Sequence, residues 1–94
     1  MTDYDLPMVD VLRLRPLDHW RLWLRFSDGT EGEYDLRQFV HSGGPMVEPL
    51  KDQTNFSRVF VELGAPTLPN GLDIDPIRAY VELRDAGALS RVAA

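Results

Sequence analysis

The sequence has no cysteine among its 94 residues. That absence removes disulfides, thiolate-bound metals and cysteine nucleophiles together. Lysine is nearly absent as well, since nine of the ten basic residues are arginine. No uninterrupted apolar run approaches the roughly 20 residues that a membrane-spanning helix needs. The opening residues, Met1-Thr2-Asp3-Tyr4-Asp5, are acidic where a secretory leader is basic, and no apolar stretch follows them. These absences predict a cytoplasmic protein with no membrane contact. The formal net charge of −5 repels phosphate backbones unless the basic residues cluster.

What is present is ordinary globular composition: 44% hydrophobic and 27% charged residues, above the range of disordered chains. The length fits one domain. A chain of this size buries only roughly 60–65% of its unfolded surface, so it has one core and few apolar residues to spare. The domain is expected over residues 5–87, with residues 88–94 as a flexible tail.

The periodicity predicts an α+β fold. A first strand is read over Val9 to Arg15 and ended by Pro16, which has no N–H for a ladder. The clearest strand is Trp20 to Phe26: Trp20, Leu22, Leu24 and Phe26 point one way, and Arg21, Trp23 and Arg25 the other. Ser27-Asp28-Gly29 turns the chain into a third strand, Thr30 to Asp35. A two-residue Asp-Gly loop would set Phe26 against Glu31 and put carboxylates on the apolar face. A three-residue loop with Gly29 left-handed sets Leu24 against Gly32 and Leu22 against Tyr34. It also sets Arg25, Trp23 and Arg21 against Glu31, Glu33 and Asp35. The bulged loop is therefore predicted.

Beyond the hairpin, Asp35 is placed to cap a short helical turn, Leu36 to Val40, that Ser42-Gly43-Gly44-Pro45 stops. Asp52 is a cap for a second short helix carrying Phe56. Val59, Val61 and Leu63 predict a fourth strand, and Thr67-Leu68 a very short fifth. Asp75-Pro76 opens a C-terminal helix with Ile77, Tyr80, Val81 and Arg84 on one face and Leu83 beside it, closed by Gly87. The architecture expected is an N-terminal antiparallel β-hairpin sheet of about four to five strands, with short helices and a C-terminal helix.

The ordered set Phe26-Ser27-Asp28-Gly29, Asp35-Leu36, Glu48-Pro49-Leu50 with Asp52 and Phe56, then Pro69-Asn70-Gly71-x-Asp73-x-Asp75 and Tyr80 resembles a small bacterial family. This family is catalogued as domain of unknown function 2442. The likeness runs from about Asp5 to Arg84. Leu68 departs from it, sitting where many members place a tryptophan. The resemblance implies a hairpin-led α+β fold and no assigned activity. It also implies a gene arrangement similar to toxin–antitoxin pairs.

Candidate chemistry is sparse. Asn70, Asp73 and Asp75 offer oxygen ligands at alternate positions, but they lack the glycine and closing glutamate of a calcium loop, and capping accounts for Asp75. His19 and His41 titrate near neutrality, yet neither accompanies a nucleophile–base–orienter set, and the adjacency of Ser42 to His41 carries no triad geometry. Ser42-Gly43-Gly44-Pro45 runs into proline where a phosphate loop needs a helix. No catalytic residue, cofactor or metal site is predicted.

Arg13, Arg15, Arg21 and Arg25 with Trp23 form the one basic, aromatic patch. The carboxylates opposite are expected to neutralise part of it, which disfavours nucleic acid. Trp23 either packs beneath a helix on the second sheet face or lies open to a partner. The residues chosen for partner binding are Trp23, Arg21, Arg25 and Arg13. The expected function is a non-catalytic protein-interaction module, the antitoxin-like or accessory partner of a second small protein. Homodimerisation through strand edges is a further expectation. The alternatives are a ligand- or nucleic-acid-binding regulatory domain and a small enzyme.

Overall fold

The computed structural model describes residues 7–92. The expected domain start at residue 5 and the last two residues of the expected tail lie outside that range. Three strands open the fold: β1 (Val11–Leu17), β2 (Arg21–Phe26) and β3 (Thr30–Asp35). Then come α1 (Arg37–Val40), a 3₁₀ turn (Glu48–Lys51) and α2 (Gln53–Phe56), followed by β4 (Phe60–Glu62), β5 (Ala65–Thr67), α3 (Pro76–Asp85) and β6 (Ser90–Arg91). A four-stranded antiparallel sheet has the order β1-β2-β3-β6, and β4 and β5 form a separate two-stranded ribbon. The fold is α+β, as the periodicity predicts.

The central hairpin has the predicted register. Arg25 pairs with Glu31, Leu24 with Gly32, Trp23 with Glu33, Leu22 with Tyr34 and Arg21 with Asp35. Gly29 takes the left-handed conformation, φ +88°, and its N–H donates to the Phe26 carbonyl at 3.1 Å. Leu22, Leu24 and Phe26 are fully buried, so a one-residue slip would replace three core side chains with arginine and tryptophan.

β1 departs from the sequence reading in two ways. It runs on through Pro16, which pairs with Leu22. Proline is tolerated because β1 lies at the sheet's edge, where one side of the strand has no ladder to join. The register also shifts between Val11 and Arg13. Leu12 is the extra residue of this bulge, so Val11 faces the core while Arg13 and Arg15 face away. The bulge explains why simple alternation fails along this strand. Trp20 also moves, out of β2 into the turn after β1, where His19 and Trp20 both have positive φ, 62° and 55°. Its indole Nε1–H donates to the Leu50 carbonyl at 2.7 Å.

Two of the helix caps follow the sequence. The Asp52 carboxylate accepts from the Thr54 N–H and the Asp75 carboxylate from the Ile77 N–H. The expected cap at Asp35 is not found: the N-cap of α1 is Leu36, without a side-chain bond, because the helix starts one residue later than read, and the Asp35 carboxylate accepts from the Arg37 N–H at 2.9 Å from the position before it. In α3 the buried residues are Ala79 and Leu83, with Tyr80 half-buried beside them. The predicted face of Ile77, Tyr80, Val81 and Arg84 with Leu83 beside it is thus shifted: Leu83 and Ala79 are the buried residues, Ile77, Tyr80 and Val81 are half-buried, and Arg84 is exposed.

The strand pair β4–β5 turns at Leu63-Gly64, and β5 begins at Ala65, two residues before the expected position. The largest revision concerns the expected tail. Gly87, φ +70°, ends α3. Its N–H donates to the Arg84 carbonyl at 3.0 Å, and the Ala88 N–H to the Leu83 carbonyl at 2.8 Å. This closure reverses the chain, and Ser90 and Arg91 pair with Glu31 and Thr30. Gly32 permits the crossing, since a Cβ there would lie 2.9 Å from the Ala88 carbonyl oxygen.

Candidate functional site

One face of the four-stranded sheet carries the core. The other face is covered by none of the described elements: Arg13, Arg15, Arg21, Trp23, Arg25, Glu31, Glu33 and Asp35 are all half-buried or exposed. The register arranges them in rows. Arg15, Trp23 and Glu33 stand abreast on β1, β2 and β3, and Arg13, Arg25 and Glu31 form the next row. The open face is therefore basic along β1 and β2, acidic along β3, and aromatic at its centre.

Trp23 is half-buried in this face. The Arg15 guanidinium carbon lies 4.6 Å from its ring centroid, a cation–π contact that fixes a long side chain over the indole. No described helix lies over Trp23, so the packing beneath a helix is not found among the described residues.

The expected neutralisation of the arginines is only partly found. Arg21 reaches diagonally to Glu33, Nη1 to Oε1 2.8 Å, because Asp35 is already held by Arg37 at 2.7 Å. The Arg37 guanidinium holds the Asp35 carboxyl below the usual range, against a smaller opposing effect of burial. Among the described residues, Arg13, Arg15 and Arg25 have no ion pair. Arg13 stands directly opposite Arg25, a like-charge cross-strand pair that favours an external anion. The four residues chosen from the sequence, Trp23, Arg21, Arg25 and Arg13, thus share one surface, and Arg15 joins them as the residue stacked on Trp23.

The other candidates are dispersed. His41 packs edge-on to Trp20 with ring centroids 4.9 Å apart, and its Nδ1 lies 2.9 Å from the Arg37 carbonyl oxygen. The Ser42 hydroxyl donates to the Phe39 carbonyl at 2.7 Å, so it points at backbone and away from any base. His19 is exposed in the β1–β2 turn. Asn70 donates to the Met46 carbonyl and accepts from the Leu72 N–H. Among the described residues no three acidic, histidine or cysteine side chains converge as a metal site would require. Gly43 and Gly44 have positive φ and lie in the loop that follows α1.

Two polar links escaped the sequence reading. Asp28 accepts from the Thr30 hydroxyl at 2.7 Å and from the Tyr80 hydroxyl at 2.6 Å, and its carbonyl accepts from Arg91 at 3.0 Å. Burial pushes its carboxyl upward, but the hydrogen bonds from Tyr80 and Thr30 outweigh this and leave it below its ordinary value. On the opposite flank the Tyr34 hydroxyl donates to Glu82 at 2.9 Å, and Glu82 also accepts from Arg78 at 2.8 Å. Burial, then the bond to Glu82, pushes Tyr34 up to about 12. A groove of about 610 Å³ opens here between α1 and α3, with Phe39 and Ile74 inside and Asp75 and Arg78 on its rim. Of its charged groups, Arg78 and Glu82 pair with each other at 2.8 Å, Asp35 is held by Arg37 and Asp75 caps α3.

A family model described as "Protein of unknown function (DUF2442)" matches residues 11–82, from the start of β1 into α3. No curated protein and no solved structure matches the chain.

Proposed function

The chain belongs to the DUF2442 family of proteins of unknown function, and from that membership and the open sheet face we propose a non-catalytic protein-interaction module. It is the accessory, antitoxin-like member of a two-protein pair in the cytoplasm, and its docking surface is the uncovered face of the four-stranded sheet. The observation that carries this reading is Trp23 at the centre of that face, with Arg15 stacked on it. Tryptophan and arginine dominate the energetic centres of protein interfaces. Arg15 is held in place before a partner arrives, so less side-chain entropy is lost on binding.

The sheet edges are poorer docking sites. β1 carries Pro16, and its Val11 N–H is taken by the Gly64 carbonyl of the ribbon at 2.8 Å. β6 is only two residues long. Short, proline-bearing or covered edges resist strand addition.

Co-purification of the chain with the product of the adjacent gene tests the proposal. Capture is expected with the native chain and loss with Trp23→Ala or Arg15→Glu. No association at micromolar concentration would end the two-protein reading. A second reading, single-stranded nucleic acid, draws on the three arginines without ion pairs among the described residues, beside a half-buried indole. Glu31 and Glu33 on the same face oppose it. Fluorescence anisotropy with a labelled oligonucleotide at low salt decides between them, and salt-sensitive binding would favour the nucleic acid.

A further inference from the structure

We propose that the open sheet face is self-complementary and takes a second copy of this chain, two sheets packing face to face about a two-fold axis parallel to β2. The inference rests on the docking face proposed above and gives it a second copy of the chain as occupant in place of a different protein. The face carries both signs of charge in separate stripes, arginines on β1 and β2 and carboxylates on β3. A uniformly acidic partner would meet Glu31 and Glu33, and a uniformly basic one would meet Arg13 and Arg15. A copy rotated about an axis along β2 meets neither problem, because the rotation lays β1 of one copy over β3 of the other.

The rows specify the contacts. Arg15-Trp23-Glu33 turned about the axis presents Glu33-Trp23-Arg15 to the first copy, so positive meets negative at both ends, with Glu33 shared with its own Arg21, and the two indoles, each with its Arg15 stacked on it, meet between them. In the next row Arg13 meets Glu31 of the second copy. Arg13 and Glu31 are suited to this, since neither has an ion pair among the described residues of its own chain. The residues of β2 lie on the axis, so Arg21 and Arg25, like Trp23, are brought near their own symmetry mates; Arg21 is already paired with Glu33 at 2.8 Å. For Arg25, its cross-strand neighbour Glu31 supplies the screening carboxylate. Aligned sheets pack about 10 Å apart, a gap that two tryptophan side chains fill. An isologous contact of this kind closes as a dimer and leaves no free interface to propagate.

Sedimentation velocity of the full chain, from low micromolar to near-millimolar concentration, is the test. A concentration-dependent dimer is expected. Arg13→Glu alone, or Glu31→Arg alone, is expected to weaken dimerisation about tenfold or more, because each sets like charges together. An equimolar mixture of the two variants is expected to form a heterodimer more readily than either variant dimerises alone. That recovery requires both chains to be folded, so it controls for damage by the substitutions. A monomer at every concentration, a dimer indifferent to both reversals, or no recovery in the mixture would each overturn the proposal. Capture of the adjacent-gene product by a strictly monomeric chain, lost on Trp23→Ala, would overturn the second-copy inference while supporting the interaction-module reading. A dimer sensitive to both reversals, with no capture of any second protein, would do the reverse.

Discussion

Asp28 sits in a two-type turn signal, and local rules account for it without any distant partner. Its carboxylate nevertheless holds Tyr80 of α3, and its carbonyl holds Arg91 of β6. Neither contact was legible, since turn chemistry is set by neighbours and these partners lie 52 and 63 residues away. Asp28→Ala is expected to lower stability by about 1 kcal/mol, the scale of an exposed hydrogen-bonded turn residue, measured by urea denaturation. Its lowered carboxyl pKa stabilises the fold above the unfolded value, and that contribution disappears as pH falls through the folded value. Asp28→Asn should therefore flatten the acid limb of the stability profile. Tyr34 carries the opposite sign. Its phenol is pushed up to about 12, so its contribution is complete below the ordinary value of 10.0 and fades between there and about 12. Spectroscopic titration of the phenols should lose its latest step in Tyr34→Phe.

The central hairpin was fully readable as an element, register included, because only one pairing keeps Leu22, Leu24 and Phe26 on a buried face free of carboxylates. The caps at Asp52 and Asp75 were readable for a related reason: each is a contact between residues two apart. The orientation of α3 and the existence of β6 were not. Both depend on how closely α3 and the residues after it cross the sheet, which Gly32 allows, a residue that carries almost no pattern of its own. Two glycines separate the forces at work. Gly87 has positive φ and open space around it, so Gly87→Ala should cost about 1 kcal/mol from backbone conformation alone. Gly32 has no such torsion but faces the Ala88 carbonyl and Leu83. Gly32→Ala should cost about 1–3 kcal/mol through overpacking and should shift the α3 and β6 resonances, which Gly87→Ala leaves on the sheet side unchanged.

At the scale of the whole molecule, the two faces of the sheet divide the labour. Leu24→Ala on the covered face should lose about 2–5 kcal/mol of stability. Trp23→Ala, its neighbour on the open face, should change stability far less while abolishing association, a contrast that thermal melts and co-purification measure together. The Trp23 face was legible as a set of residues but not as an electrostatic pattern. The sequence shows that arginines and carboxylates oppose one another; it does not show that Arg37 takes Asp35 and draws Arg21 onto Glu33. The pairing of β6 with β3 also bears on synthesis. Thr30 and Arg91 are joined across most of the described chain, so during translation the outer edge of β3 stays unsealed until residue 91 has left the ribosome. A growing chain that has already formed β1 to β3 exposes that edge to its neighbours, and substitutions that delay closure at Gly87 or Ser90 should show up first as lower soluble yield.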